Sequence, residues 1–342
     1  MIAPSPETIP VVDFSRFSTD LPSLAREIKD VCATWGFLYL SNHGLPQSSI
    51  DRMFDISATF FKTTPREEKS STPWSSIVNA GYDAKTGTEG YFNEHGAKDR
   101  VSAVDEKEVF VIRKQASYDQ PMPPSLKKFN PEIQAFMGEL HEKIAVPLLA
   151  CLGVGLGLSA DRLPQIHQHE NPSMTTLRLI HYPALPPSDT AKVRLGSHTD
   201  QGVITILFQN LVGGLQIRPP KYTGPIKDDE IWLDAPVIPG AVLINIGETM
   251  TFFSGGLMKS TLHRVTRSPL PEDQGKERFS MAYFCHPNID TLLEVLEGIK
   301  GEDGKEIQRK EPPISCVTGQ KVRTVKEWIE HRHSMGRLEK VK

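Results

Sequence analysis

Gly196-Ser197-His198-Thr199-Asp200-Gln201-Gly202-Val203-Ile204-Thr205-Ile206-Leu207-Phe208-Gln209 sets two metal-capable side chains at the mouth of an apolar run. From Val203 to Phe208 the residues are mostly β-branched or large and apolar, which reads as one short strand. Similar runs surround it: Thr176–Tyr182, Leu215–Arg218, Ile231–Asp234, Ala241–Ile246, His263–Thr266 and Arg278–Phe284. Turn signals lie between them, among them Gly213-Gly214, Pro239-Gly240, Gly255-Gly256 and Pro269-Leu270-Pro271. Short strands at such intervals point to an antiparallel sandwich or barrel, the jelly roll among them.

Before about residue 170 the pattern changes. Ile9–Phe14 and Phe37–Leu40 read as short strands. Leu21–Trp35 reads as a helix, with Leu24, Ile28, Val31 and Cys32 at three- and four-residue steps, and Ser48–Lys62 as a second. Residues 66–105 are polar and irregular, and Glu106-Lys107-Glu108 reads as a solvated turn leading into a strand, Lys107–Ile112. Residues 126–158 are helical in pattern, interrupted at Pro147, and Thr324–Arg337 is an amphipathic tail helix. The expected organisation is a helix-rich N-terminal region, 1–165, packing on a β core, 166–290, with a C-terminal helical extension, 291–342.

The 342 residues carry 39 Lys+Arg against 42 Asp+Glu, a net charge of −3, and are 38% hydrophobic and 24% charged. This balance excludes a disordered chain and argues against a basic nucleic-acid binder. Cys32, Cys151, Cys285 and Cys316 are widely spaced and form no CxxC pair, so reduced thiols are expected, with Cys285 buried and inert. No apolar stretch is long enough for a membrane span, and no leader pattern opens the chain. A cytoplasmic protein without membrane or nucleic-acid partners, a monomer or homodimer, is the expectation.

His198 and Asp200 are two residues apart, so on an extended backbone they share a face. His263, from another strand, would complete one face of a coordination sphere and leave the other open. Two histidines and one carboxylate so placed make the facial triad of non-haem Fe(II) oxygenases. A lone strand histidine is more often structural, so the weight rests on the combination. Arg278 and Ser280 repeat the spacing, and a guanidinium fork beside a hydroxyl suits a carboxylate. Tyr182 could donate to the same group; the plainer readings are a surface ion pair for Arg278 and a core phenol for Tyr182. His167 and His169 fall in a polar loop and are expected to be solvated. His331 and His333 do not share a helical face, so no joint site is expected there.

The run from Gly196 to Gln209, continued by Val212-Gly213-Gly214-Leu215-Gln216-Ile217, resembles the iron-binding segment of the 2-oxoglutarate/Fe(II)-dependent dioxygenases of the isopenicillin N synthase-like family. Pro239–Gly247, Lys259–Val265, Arg278-Phe279-Ser280, Ile9–Phe14 and Trp35–Gly44 are similar to further segments of that family. The resemblance runs from about residue 9 to about residue 290. It implies a mainly β fold with surrounding helices and a double-stranded β-helix (jelly-roll) core. It implies Fe(II) on His198, Asp200 and His263. It implies 2-oxoglutarate on Arg278 and Ser280 with help from Tyr182, and O2 as co-reactant. One departure is Ile180, where plant members often have Asn.

The implied reaction is oxidation of an unactivated C–H bond in a small organic molecule, such as a specialised metabolite, with release of succinate and CO2. Hydroxylation is the default; desaturation, cyclisation and ring rearrangement are related outcomes, and no catalytic base is assigned. Tyr82, Phe92, Phe110 and Phe284 are the candidate pocket walls. Two other readings stay open: an Fe(II) oxidase that does not use 2-oxoglutarate, and a non-catalytic small-molecule receptor.

Overall fold

The computed structural model describes residues 8–75, 77–85, 107–185, 193–220, 232–301, 303–307, 314 and 319–338. Twelve strands are described: β1 Val11–Asp13, β2 Phe37–Ser41, β3 Gly81–Lys85, β4 Lys107–Arg113, β5 Thr176–Tyr182, β6 Val193–His198, β7 Ile204–Gln209, β8 Leu215–Ile217, β9 Leu233–Asp234, β10 Ala241–Ile246, β11 His263–Thr266 and β12 Arg278–Cys285. They form an eight-stranded sheet in the order β1-β2-β10-β7-β12-β5-β4-β3 and a four-stranded sheet in the order β6-β11-β8-β9. Neighbours pair antiparallel except β1 with β2. The sheets face each other as an open jelly roll, with helices outside.

Strand alternation gives the larger sheet two distinct faces. On one, Ile204 and Ile206 of β7, Met281 and Tyr283 of β12, and Leu177 and Leu179 of β5 join the helices in the main core. On the other, Tyr39, Tyr182 and Leu243 meet Leu215, Ile217 and Val265 of the smaller sheet in a second core. His198, His263, Arg278 and Ser280 lie on this second side.

The helix Leu21–Thr34 is capped at its start by Asp20, whose carboxylate accepts from the Ser23 amide, and it packs on the helix Val146–Gly155. The expected break at Pro147 is instead a π-helical turn, His141–Ala145, directly before it. Proline follows at the first turn of the resumed helix, where its missing N–H does least harm. No helix among the described residues is long and apolar enough to cross a membrane.

The first 165 residues do more than pack on the β core. They supply β1 and β2 to one edge of the larger sheet and β3 and β4 to the other. β3 falls in the segment read as irregular, because Gly81-Tyr82-Asp83-Ala84-Lys85 is an edge strand with few β-branched residues.

Two polar groups expected in solvent are enclosed. His167 is 1% exposed, its Nδ1 2.7 Å from the Leu163 carbonyl oxygen, and burial holds it neutral, near 3. Glu108, expected in a solvated turn, lies on the helix side of β4. Its carboxylate accepts from Lys69 Nζ at 2.6 Å and from the Tyr82 hydroxyl, and His181 Nδ1 lies 3.1 Å away. Burial alone would raise this carboxyl, but the bonds from His181, Lys69 and Tyr82 outweigh it and hold it at about 2. Cys32, Cys151 and Cys285 are buried free thiols, and burial pushes Cys285 up to about 12; Cys316 lies outside the described residues.

The depressed Glu108 carboxyl contributes stability above its unfolded value near 4.5, and that contribution is lost as pH falls toward about 2. Glu108→Gln is therefore expected to be less stable than wild type at pH 7 by about 2 kcal/mol after solvent screening. The gap should close between pH 5 and pH 2, as read by urea unfolding. A gap that stays constant with pH would remove Glu108 from the acid limb.

Candidate metal centre

β6 ends at His198, which pairs directly with His263 of β11. The histidines are thus set side by side by strand register, their ring centroids 4.2 Å apart. Asp200 lies beyond the strand end, so alternation is not what aims it. The turn that follows the strand brings it back. The Asp200 carbonyl accepts from the Glu248 amide at 2.7 Å, and the Gly202 carbonyl from the Thr249 amide at 3.1 Å. Gly247 allows this approach, since a Cβ there would collide with the Gly202 carbonyl.

Asp200 Oδ1 stands 3.8 Å from His198 Nε2 and 3.7 Å from His263 Nε2. One donor atom from each residue lies within 4.8 Å of the others. The remaining atoms are already committed. His198 Nδ1 is 2.9 Å from the Gly196 carbonyl oxygen and His263 Nδ1 is 3.1 Å from that of Thr261. Donation to those carbonyls places the proton on Nδ1 and leaves each Nε2 lone pair for a metal. Asp200 Oδ2 accepts from Thr205 Oγ1 at 2.6 Å and from Asn245 Nδ2 at 2.7 Å, which turns Oδ1 toward the imidazoles. The Phe37 ring meets His263 edge-on with centroids 5.4 Å apart.

Desolvation, reinforced by His263, lowers His198, so its imidazole is neutral. Burial would raise the Asp200 carboxyl, but His263, His198 and the bonds from Thr205 and Asn245 prevail and keep it ionised. Two imidazoles and a carboxylate, each held by an outer partner, fit a divalent cation.

Arg278 lies on the same side of β12, opposite Tyr182 of β5. It is 3% exposed. Its Nη1 donates to Ser280 Oγ at 3.3 Å and its Nη2 to Gln209 Oε1 at 2.8 Å, with the Tyr182 ring centroid 5.0 Å away. Nε has no hydrogen-bond partner, and no carboxylate pairs with this guanidinium among the described residues. A buried cation with neutral neighbours is a receptor for an anion.

The four candidate wall residues separate. Phe284 is on the site face, opposite Thr205 of β7 and beneath the Arg178 guanidinium, 4.3 Å from its ring centroid. Tyr82 and Phe110 pair with each other on the opposite, helix-packed face, where Phe110 meets the Phe60 ring at 5.2 Å. Alternation along β4 gives the site side to Val109 and Val111 instead. Phe92 lies outside the described residues. Thr205, Gln209, Asn245 and Arg178 were missed in the sequence; the first three are single polar residues in or at the end of apolar strands, on the same alternate face.

A jelly roll that gathers two imidazoles and one carboxylate in this way has the architecture of a non-haem iron oxygenase. Residues 174–287 match the 2OG-Fe(II) oxygenase superfamily, and residues 9–133 match the non-haem dioxygenase in morphine synthesis N-terminal family. The chain is 31% identical over 301 residues to flavonol synthase/flavanone 3-hydroxylase of Arabidopsis thaliana, covering 88% of this chain and 82% of that one. It is 25% identical over 338 residues to 1-aminocyclopropane-1-carboxylate oxidase of Dictyostelium discoideum, covering 85% and 84%. Its structure superposes on a full-length Neurospora crassa protein crystallised with alpha-KG (2-oxoglutarate), at a TM-score of 0.76 and 29% identity over 95% of this chain and 96% of that one. The chain belongs to the 2OG-Fe(II) oxygenase superfamily. It is an oxidoreductase, a dioxygenase whose cofactor is Fe(II) and whose cosubstrate is 2-oxoglutarate.

If Asn245 aims Asp200, Asn245→Leu should weaken Fe(II) binding about tenfold or more in anaerobic titrations. An unchanged affinity would leave Asn245 a core residue without influence on the ligand.

Proposed function

We propose that His198, Asp200 and His263 hold Fe(II), and that Arg278, Ser280 and Tyr182 receive the distal carboxylate of 2-oxoglutarate. The substrate is a small organic molecule oxidised at a C–H bond, with hydroxylation as the default outcome. The observation that carries this reading is the buried Arg278 fork with neutral neighbours, on the same side of the sheet as the triad.

When bound, iron and 2-oxoglutarate supply the oxidising power, and succinate and CO2 leave as co-products. The chain's own task is placement. Asp200 Oδ2 is tied to Thr205 and Asn245, so Oδ1 points at the imidazoles without rearrangement. Gln209 and Ser280 hold the two Nη atoms of Arg278 and fix the plane of the fork. Phe284 and Arg178, stacked on the same face, offer the substrate an aromatic wall and a cation. That combination favours a substrate with a planar or carbonyl-bearing group. Thymine, bound in a second crystal of the Neurospora crassa protein, has this character.

Anaerobic addition of Fe(II) and then 2-oxoglutarate should produce a weak visible charge-transfer band only when both are present. Asp200→Ala should lose the metal and the band. Arg278→Ala should keep the metal but need at least about tenfold more 2-oxoglutarate, the cost of a charge-assisted pair. An unaltered 2-oxoglutarate requirement in Arg278→Ala would sink the assignment of the fork.

A further inference from the structure

We propose that Arg332 and Glu248 are positioning residues of the metal centre, through which the C-terminal helix fixes Thr199, the residue between the two ligands His198 and Asp200. The inference rests on the metal role proposed for those ligands and adds a remote element that neither the motif nor the family match includes.

The helix Val325–Leu338 is docked rather than appended. Val325 donates its amide to the Thr291 carbonyl at 3.0 Å, Ile329 is 1% exposed, and the Trp328 ring packs edge-on against Phe252 with centroids 5.2 Å apart. One turn further along, Arg332 Nη2 reaches Glu248 Oε1 at 2.9 Å, with side chains 7% and 4% exposed. The same Oε1 accepts from Thr199 Oγ1 at 2.6 Å. Glu248 also donates its amide to the Asp200 carbonyl at 2.7 Å. The residue after it, Thr249, donates its amide to Gly202 and its hydroxyl to the Gln201 carbonyl, the latter at 2.6 Å. Every residue of the turn Thr199–Gly202 is therefore bonded to Glu248 or Thr249.

A buried carboxylate–guanidinium pair is a poor device for stability. Its desolvation cost offsets most of the attraction, and apolar residues of similar volume would serve as well or better. What such a pair supplies is direction. With Arg332 present, Glu248 Oε1 is held from one side by the guanidinium and from the other by the Thr199 hydroxyl. Thr199 then cannot turn, and the backbone on either side carries His198 and Asp200 at a fixed separation. Without Arg332 the Glu248 carboxylate loses the guanidinium that fixes Oε1, the same atom that accepts from Thr199, and that bond is free to shift. Because coupling between sites is reciprocal, metal binding should in turn tighten the helix.

The test is an anaerobic Fe(II) titration of wild type, Thr199→Val, Arg332→Met and the double variant, each checked for folding by circular dichroism. The expected result is about a tenfold rise in Kd for each single variant, in line with the loss of an outer partner of a metal ligand. The double variant should be little worse than either single one, because both break the same relay, and Arg332→Lys should recover much of the loss. Exchange of amide hydrogens in residues 325–332 should slow when Fe(II) is added to wild type and respond less in Thr199→Val. Thr199→Val removes one hydroxyl only, so it keeps the test alive if Arg332→Met does not fold. Unchanged Fe(II) affinity in the single variants, or losses that multiply in the double variant, would overturn the positioning role while leaving the metal centre in place. A wild type that binds no Fe(II), or an Asp200→Ala that binds it as tightly, would instead remove the metal reading and the inference with it.

Discussion

The Arg278 half of the site depends on the phase of β12. The strand lies between β7 and β5, and its alternate residues face opposite ways. Arg278, Ser280 and Phe284 turn toward the smaller sheet, while Met281, Tyr283 and Cys285 turn into the helices. A slip of one residue would bury the guanidinium among apolar helix contacts and expose Met281 to the site. The apolar set that packs on the helices is what forbids the slip. Residues that never touch the chemistry thus fix where the chemistry occurs.

Four wholly or partly buried charges show how differently the fold treats them. Glu108 is surrounded by Lys69, Tyr82 and His181, so its ionisation is stabilised within the sheet–helix interface and calls for nothing further. Glu248 is matched by Arg332 and uses its remaining capacity on Thr199. Asp200 accepts hydrogen bonds on Oδ2, while Oδ1 is aimed at two imidazoles. Arg278 has neutral hydrogen-bond partners. Glu108 and Glu248 meet cations, whereas Asp200 Oδ1 faces two imidazoles and Arg278 meets no carboxylate among the described residues. That asymmetry separates structural from functional charge more sharply than burial does.

The core strands and the triad were legible in the sequence because their signals are local. An apolar run bounded by glycine or proline names a strand, and His198, Asp200, His263, Arg278 and Ser280 carry side chains whose chemistry is costly to enclose without use. The walls were not legible. Tyr82 and Phe110 are aromatic residues beside a predicted site, but which face they take depends on the register of β3 and β4 against β5. That register is set across long connections, which composition does not report. Glu108 looked solvated because Lys69, Tyr82 and His181 lie 39, 26 and 73 positions away in the chain. Even Asp200 was placed for an incomplete reason: the spacing is right, but a turn rather than a strand brings it home.

The turn Thr199–Gly202 explains why so short a motif needs so large a fold. A two-residue spacing can point two side chains together only if the backbone between them is held. Here β6 ends at His198, so no strand partner holds Asp200. The hold comes from the start of the helix Glu248–Phe253, set against the turn by Gly247, where a Cβ would collide with the Gly202 carbonyl. Glu248 then extends that contact through Arg332 to the last helix of the chain. The separation of His198 and Asp200 is thus set by three segments distant in sequence, and the motif is only one of them.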